Sequence, residues 1–216
     1  MTTAPPPVRL HGYSRSSASW RVRIALHMKG VGAEPVSYAL LAGEQRDPRY
    51  LALNPQGLVP ALEIDGLVLT QSLAICEYLE ETRPLPPLLP GGAGQRARIR
   101  ALANVIACDV HPLQNLKVLR AVKALGHEQE TVTAWAREVC EAGLDAFAAL
   151  VADGNGSFCV GDTPTLADVL LVPQLANARR HGADLRWPRL LSIEAACLAL
   201  PAFAETAPAQ QPDFAG

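Results

Sequence analysis

The sequence predicts an α/β domain followed by an all-helical domain. Over about the first 82 residues, short β-rich runs alternate with helix-forming runs in the order βαβ, an irregular segment, then ββα. The stretch 83–94 then contains four prolines and three glycines, a composition typical of a linker. Beyond it, apolar residues recur only at helical spacing. We therefore predict one domain over residues 1–86 and a second over residues 87–216.

The first three elements form a βαβ unit. Residues 8–11 are predicted to be a strand, and residues 21–29 carry helix formers up to Gly30, which favours a helix C-terminus. Residues 36–41 provide a second apolar strand. Two such strands pair in parallel through a right-handed crossover.

A hairpin and a helix complete the first domain. Residues 61–69 read as two strands joined at Asp65–Gly66, a dipeptide that supplies the positive φ angles of a two-residue turn. Ser72 is then placed to cap a helix over 73–81, which ends before Pro84.

The second half reads as a helical bundle. Apolar spacing of three and four residues predicts helices over 99–113, where Pro112 should kink or interrupt the helix, and over 132–150. Thr165 and Asp168 fit a capping box at the start of another apolar helix, and we interpret them as structural. Residues 208–216 are expected to form a loosely held tail.

Composition and charge exclude several classes of function. The hydrophobic fraction is 49% but aromatics supply only 5%, which favours helix packing over a sheet sandwich. A net charge of −2 gives no electrostatic footprint for nucleic acid or an anionic membrane. The five cysteines are widely separated and show no metal-site spacing, so no metal is expected. Reduced thiols, and the absence of a leader pattern or a transmembrane run, predict a cytoplasmic protein.

The most informative stretch is RSSASWRVRIAL at residues 15–26. It places hydroxyls at a strand-to-helix turn, where the first-turn amides have no partner inside the helix and the helix dipole is positive. A thiolate or a carboxylate could bind there. Val59–Pro60 could present free backbone groups to a peptide ligand, or could be an ordinary strand-edge proline. Gln71–Ser72 suits a carboxylate and an ammonium, although Ser72 would also serve as a simple cap.

Three motifs together resemble the zeta class of glutathione transferases. They are the stretch above, then ALNPQGLVPAL with QSLAICEYLEET, and GDTPTLADVLLVPQ in the helical half. The resemblance covers the chain from about residue 8 to residue 212. It implies a thioredoxin-like N-terminal domain, an all-helical glutathione-transferase C-terminal domain, glutathione as cofactor and a homodimer.

The resemblance also implies a glutathione site. Ser16 matches the serine that hydrogen-bonds the glutathione sulfur, and Ser17 stands beside it. The remaining positions that the resemblance assigns to glutathione are Gln45, Val59, Pro60, Gln71, Ser72, His111 and Asn115. The thiol must ionise to act, and each unit by which its pKa falls below about 8.5 requires about 1.4 kcal/mol of preference for the anion. A charge-assisted hydrogen bond and a helix N-terminus can supply that preference.

The class includes maleylacetoacetate isomerase and maleylpyruvate isomerase, whose substrates are dianions. A cleft for such a substrate needs fixed cations, and Arg15, Lys117 and Arg180 stand at the corresponding positions. By resemblance, Arg180 joins Ser16 and Ser17 in the catalytic set. Arg15 could instead be a solvated turn residue, and Lys117 a surface lysine.

Two departures bear on the substrate. Ala18 stands where maleylacetoacetate isomerases commonly have a cysteine, so that accessory thiol is absent. His111 before Pro112 resembles the maleylpyruvate branch, whereas Gln114-Asn115-Leu116 resembles the maleylacetoacetate branch. Histidine before such a proline could also merely cap carbonyl groups.

We predict a glutathione-dependent cis–trans isomerase that converts maleylacetoacetate to fumarylacetoacetate in the breakdown of aromatic amino acids. Maleylpyruvate is the alternative substrate. Conjugation or dehalogenation of small α-haloacids, and a non-catalytic interaction module with the same fold, are the other hypotheses. Neither nucleic acid nor a membrane is expected as a partner.

Overall fold

The computed structural model describes residues 7–214, so the N-terminal segment in which no leader is predicted lies almost wholly outside it. The described chain divides into two units. The first runs to Pro86 and also contains the chain from Leu200 onward, and the second comprises Pro87–Ala199. The C-terminal segment groups with the first unit because Trp20 Nε1 and Arg23 Nε both hydrogen-bond Thr206, whereas the sequence prediction assigns that segment to the second domain.

The first unit is built on a four-stranded sheet. Its elements in chain order are β1 (Arg9–Gly12), α1 (Ser17–Met28), β2 (Glu34–Ser37), α2 (Pro48–Leu53), β3 (Ala61–Ile64), β4 (Leu67–Thr70), α3 (Ser72–Thr82) and, from the C-terminal segment, α9 (Pro201–Ala204). The strand order is β2-β1-β3-β4, with β1 parallel to β2 and antiparallel to β3, and β3 antiparallel to β4. The predicted order is therefore confirmed, except that the segment predicted to be irregular contains the short helix α2.

The structure confirms some of the predicted turns and helix ends of this unit and contradicts others. Asp65 and Gly66 have φ angles of 53° and 79°, as the predicted two-residue turn requires, and Gly30 follows α1 with φ 66°. Helix α1 starts at Ser17, four residues before the predicted run of helix formers. The prediction that Ser72 caps α3 is wrong, because Gln71 is the N-cap and its carbonyl accepts from the Ile75 N–H.

Strand β2 begins and ends earlier in the chain than the predicted second strand. The sequence predicts it over 36–41, but β2 is Glu34–Ser37 and Leu41 lies in an exposed loop. The parallel register explains the difference, because β1 ends at Gly12, which pairs with Ser37 and leaves later residues without a strand to join. Pro35 is tolerated because β2 lies at the edge of the sheet.

The second unit is helical. It contains α4 (Ala93–Asn104), a π-helical turn (Val105–Val110), α5 (Leu116–Ala124), α6 (Gln129–Leu150), α7 (Leu166–Arg180) and α8 (Pro188–Leu198). The helical run from α4 ends at Val110, so the predicted interruption by Pro112 is confirmed. Helix α6 packs against the π-helical turn at Gly143, where an added Cβ would lie 2.0 Å from Val110 Cγ2.

Helix α7 is the buried centre of this unit. Twelve of its 15 residues are buried, including Pro173 inside the helix. Its start carries the predicted capping box: the Asp168 carboxylate accepts from the backbone N–H and the hydroxyl of Thr165, at 2.7 and 2.8 Å. The same carboxylate accepts from the Cys159 N–H at 2.8 Å, so it also fixes the loop before the helix. The structural interpretation of this motif is therefore sufficient.

Candidate functional site

Ser16 occupies the N-cap of α1. Its backbone is extended (φ −75°, ψ 116°), and its Oγ accepts from the Ser19 N–H at 3.2 Å. The first bond inside the helix runs from the Trp20 N–H to the Ser16 carbonyl, so the amides of Ser17 and Ala18 have no helical acceptor. The Ser16 side chain is half-buried, and Ser17 is buried beside it. The hydroxyl thus lies at the positive end of the helix, as an anion site requires.

The turn that carries Ser16 is fixed from two directions. Arg23 donates to the carbonyls of Tyr13 and Ser14 at 3.4 and 3.0 Å. Burial lowers the pKa of Arg23 to about 10, and the charge of Asp213 opposes that shift, so the guanidinium remains cationic at neutral pH. The Asp213 carboxylate in turn accepts from the Ser14 N–H at 2.9 Å. The expectation of a loosely held C-terminal tail is therefore wrong up to residue 214, and residues 215–216 lie outside the described chain.

The second predicted element is the Val59–Pro60 bond, which is cis. The preceding carbonyl, that of Leu58, accepts from the Tyr50 hydroxyl at 2.5 Å and from Asn54 Nδ2 at 2.7 Å. Burial raises the pKa of Tyr50 to about 12, so this hydroxyl stays a donor. Within residues 7–214, neither backbone group of Val59 makes a hydrogen bond, which leaves both able to pair with an extended ligand. Sequence reasoning missed Tyr50 and Asn54, for which no local motif exists.

The third element is the start of α3. Gln71 has φ 67°, a left-handed conformation that is uncommon outside glycine, and its Nε2 donates to Gln56 Oε1 at 2.7 Å. Ser72 Oγ accepts from Nη1 of Arg21 at 3.4 Å. Arg21 is 1% exposed and lies on the first turns of α1. A buried cation therefore links the starts of α1 and α3, and it adds positive charge where Gln71 and Ser72 would hold a carboxylate.

Two more predicted residues of this unit are Gln45 and Arg15. Gln45 lies in a short 3₁₀ turn (Glu44–Arg46) and is 6% exposed, with Nε2 directed at the Leu40 carbonyl at 3.5 Å. Its buried Oε1 makes no hydrogen bond within the described chain. Arg15 is exposed at the turn before α1.

In the second unit, three predicted residues follow the π-helical turn. His111 comes directly after it and is half-buried; its N–H donates to the Ile106 carbonyl at 2.9 Å. Asn115 is the N-cap of α5, where its Oδ1 accepts from the Lys117 N–H at 3.0 Å. Lys117 is exposed on the first turn of that helix. The Oδ1 atom of Asn115 therefore has a structural role as a helix cap. Its Nδ2 atom is the one that would make the predicted contact with glutathione.

Arg180 lies at the C-terminal end of α7, and its side chain is exposed. Its Nη2 donates to Asn177 Oδ1, and Asn177 Nδ2 donates to Gln114 Oε1. Gln114 Nε2 lies 3.4 Å from His111 Nδ1. Two predicted residues, His111 and Arg180, are thus connected by two buried amides, Asn177 and Gln114, that are not among the predicted site residues.

Other kinds of site find no support in the described part of the chain. No group of three His, Cys, Asp or Glu residues in it could hold a metal ion. None of its helices is long and apolar enough to cross a membrane.

Two family models match the chain. The family model for the glutathione S-transferase N-terminal domain matches residues 10–87, and that for the C-terminal domain matches residues 94–195. The chain is 47% identical to maleylacetoacetate isomerase of Pseudomonas aeruginosa over 95% of this chain and 98% of that protein.

Two solved structures are similar over nearly the whole chain. One is the holo structure of a maleylpyruvate isomerase described as a bacterial zeta-class glutathione S-transferase, with TM-score 0.93, 45% identity and coverage of 96% of this chain and 100% of that one. The other is maleylacetoacetate isomerase of Methylobacterium extorquens with bound malonate and glutathione, with TM-score 0.92, 41% identity and coverage of 96% and 100%.

The chain therefore belongs to the glutathione S-transferase family. Within that family it is a zeta-class protein, which confirms the resemblance drawn from its motifs. The predicted fold is confirmed as well: a thioredoxin-like N-terminal domain with a four-stranded mixed sheet, and an all-helical C-terminal domain.

Proposed function

We propose that this protein is a glutathione-dependent cis–trans isomerase of maleylacetoacetate. The observation that carries the proposal is the position of Ser16, whose half-buried hydroxyl caps α1 beside helix amides without a helical acceptor. Such a site favours a thiolate over a thiol. Relatives that carry the names of this activity are similar over nearly their whole length.

The residues of the first unit fit glutathione. Ser16 would hold the sulfur, the two backbone groups of Val59 would pair with the cysteinyl part of the tripeptide, and Gln71 and Ser72 would hold the γ-glutamyl end. Gln45, with an Oε1 that no described residue satisfies, would contact the tripeptide backbone. The sulfur, the cysteinyl part and the γ-glutamyl end of the ligand thus each have a candidate partner.

The chemistry divides between the cofactor and the chain. When bound, glutathione supplies the thiolate that adds reversibly to the cis double bond conjugated with the substrate carbonyl. The Ser16 hydroxyl donates to that sulfur and lowers the pKa of the thiol, and the first-turn amides of α1 add a fixed positive potential. Arg23 and Asp213 hold the Ser16 turn in place, so this electrostatic environment is arranged in advance.

A maleyl substrate carries two carboxylates, and we assign their binding to Arg180 with contributions from Arg15 and Lys117. Guanidinium groups bind carboxylates through two parallel hydrogen bonds. The malonate in the related Methylobacterium structure is itself a small dicarboxylate bound together with glutathione. The guanidinium of Arg180 is held by the buried side chain of Asn177.

Maleylpyruvate is the second candidate substrate. His111 stands where the sequence resembles the maleylpyruvate branch, and the similarity to a maleylpyruvate isomerase structure, at 45% identity, nearly equals that to a maleylacetoacetate isomerase at 47%. Overall similarity therefore does not separate the two substrates.

A side-by-side turnover assay tests the proposal. Purified protein is given maleylacetoacetate or maleylpyruvate, with and without glutathione, and the trans product and free thiol are both measured. We expect isomerisation that requires glutathione and leaves the thiol concentration unchanged. Consumption of thiol with α-haloacids but no isomerisation would instead indicate a conjugating enzyme, and no glutathione-dependent thermal shift would indicate a non-catalytic module.

We also propose that the protein is a cytoplasmic homodimer. The edge strand β4 exposes 48% of Leu67 and 46% of Val68, an apolar surface that a second copy could cover. All five cysteines are free thiols, as is usual in a reducing compartment. Light scattering of the wild-type protein and of the double variant Leu67→Asp/Val68→Asp should give a dimer and a monomer, respectively.

A further inference from the structure

A continuous chain of side-chain hydrogen bonds connects Arg180 to His111 through Asn177 and Gln114. We call these four residues the amide relay. They come from α7 and from the turn that follows the π-helical segment, and Asn177 and Gln114 are 63 residues apart in sequence. Both amides are buried, with 5% and 4% of their surfaces exposed.

The guanidinium sets the direction of every bond in the relay. Arginine can only donate, so the atom of Asn177 that faces Arg180 must be Oδ1, and Nδ2 is left to donate to Gln114. Gln114 then accepts at Oε1 and presents its Nε2 hydrogens to Nδ1 of His111, 3.4 Å away. His111 Nδ1 must therefore be an acceptor, and in the neutral ring the proton sits on Nε2.

We infer that Gln114 and Asn177 are positioning residues of the active site. Asn177 holds the exposed Arg180 guanidinium in one orientation, so that less rotational freedom is lost when a carboxylate binds. Gln114 keeps neutral His111 in the Nε2–H form. The part of this inference that concerns the substrate rests on the proposed function, whereas the location of the His111 proton does not.

Another buried amide of the same helix provides a matched comparison. Gln174 lies one turn before Asn177 on α7 and is fully buried, but its Nε2 donates to Cys140 Sγ at 3.4 Å. Within residues 7–214 it makes no hydrogen bond to any member of the amide relay. If buried amides of α7 were only structural, Gln174 and Asn177 would respond alike to replacement by leucine.

The first test locates the His111 proton by two-bond ¹H–¹⁵N correlation spectroscopy, at a pH where the ring is neutral. We expect the Nε2–H form in the wild-type protein. Gln114→Glu retains an acceptor for Asn177 but directs a carboxylate oxygen at His111, so the proton should move to Nδ1. An Nδ1–H form in the wild type, or no change in the variant, would overturn the inference. This measurement needs no activity.

The second test compares Asn177→Leu with Gln174→Leu in the isomerase assay. We expect Asn177→Leu to raise KM for the maleyl substrate about tenfold, equivalent to about 1.4 kcal/mol, and Gln174→Leu to leave it within twofold of wild type. Equal KM values in the two variants would overturn the role of Asn177. Should Asn177→Leu fail to fold, Gln114→Glu, which is nearly isosteric, still decides the tautomer. A wild-type protein that isomerises neither substrate refutes the proposed function, and the spectroscopic test still decides the relay.

Discussion

Replacing Ser16 by alanine removes two interactions whose effects can be separated. As a cap, the Oγ accepts from the Ser19 N–H, and its loss should lower the free energy of unfolding by about 1 kcal/mol. As a donor to the sulfur, it forms a charge-assisted hydrogen bond worth about 1.5–3 kcal/mol. At about 1.4 kcal/mol per pKa unit, losing that bond should raise the pKa of bound glutathione by roughly one to two units.

The expected change in rate follows from the pKa. At a pH below the pKa of the bound thiol, a rise of one to two units lowers the thiolate fraction by about 10- to 100-fold, but the more basic thiolate is more nucleophilic, with a Brønsted coefficient of about 0.45. The net fall in kcat should be roughly 3- to 12-fold, while KM for glutathione changes less. Because the thiolate is the reactive form, kcat should rise with pH as the thiol ionises. The kcat of Ser16→Ala should therefore approach that of the wild type at higher pH.

The assay is the pH profile of kcat together with ultraviolet titration of the bound thiolate. Ser16→Gly is the control for capping, because glycine costs only a few tenths of a kcal/mol at an N-cap and yet lacks the hydroxyl. Ser16→Thr retains the hydroxyl and should retain most activity. A Ser16→Ala variant with an unshifted profile and wild-type kcat would refute the assignment of Ser16 to the sulfur.

Three further predictions concern the scaffold. Asp168→Ala should lower the free energy of unfolding, measured by urea denaturation, by about 3–5 kcal/mol, because the buried N–H groups of Cys159 and Thr165 lose their acceptor. The control Asp162→Ala, at an exposed position, should lower it by less than about 1 kcal/mol. Cys108 is exposed, whereas the other four cysteines are buried and burial raises the pKa of their thiols. A thiol reagent should therefore modify one thiol per native chain and five after denaturation. Rapid reaction of a second thiol in the native protein would contradict this. Gly143→Ala forces a contact with Val110 and should lower stability by about 1–3 kcal/mol, and an unchanged thermal midpoint would argue against the close packing of α6.

The parts of this molecule that were predictable from sequence are those set by local chemistry. The Asp65–Gly66 turn needs only two residues that tolerate positive φ, and the Thr165–Asp168 box only a hydroxyl and a carboxylate three residues apart. Ser16 was identifiable for a similar reason, since a hydroxyl at the start of a helix has a defined local role.

Features that depend on distant partners were not predictable. The position of β2 is decided by where β1 ends, and Gln71 replaces Ser72 as the N-cap of α3 through a left-handed backbone conformation that no local rule favours for glutamine. The link between Asn177 and Gln114 spans 63 residues, and it exists only once α7 is packed. The apolar sequence of α7 predicts that the helix is buried. It does not predict which polar side chains of the helix form hydrogen bonds with other elements.

The hydrogen bond between Ser14 and Asp213 limits when the turn before Ser16 can finish folding during synthesis. These residues are 199 positions apart, so Asp213 is synthesised long after Ser14, which belongs to the turn before Ser16. A nascent chain can form its sheet and α1 early, as N-terminal domains do during translation. The Ser16 turn nevertheless gains this anchor only after Asp213 has left the ribosome. A chain cut short before Asp213 would therefore contain every candidate glutathione residue and still lack one of the anchors of that turn.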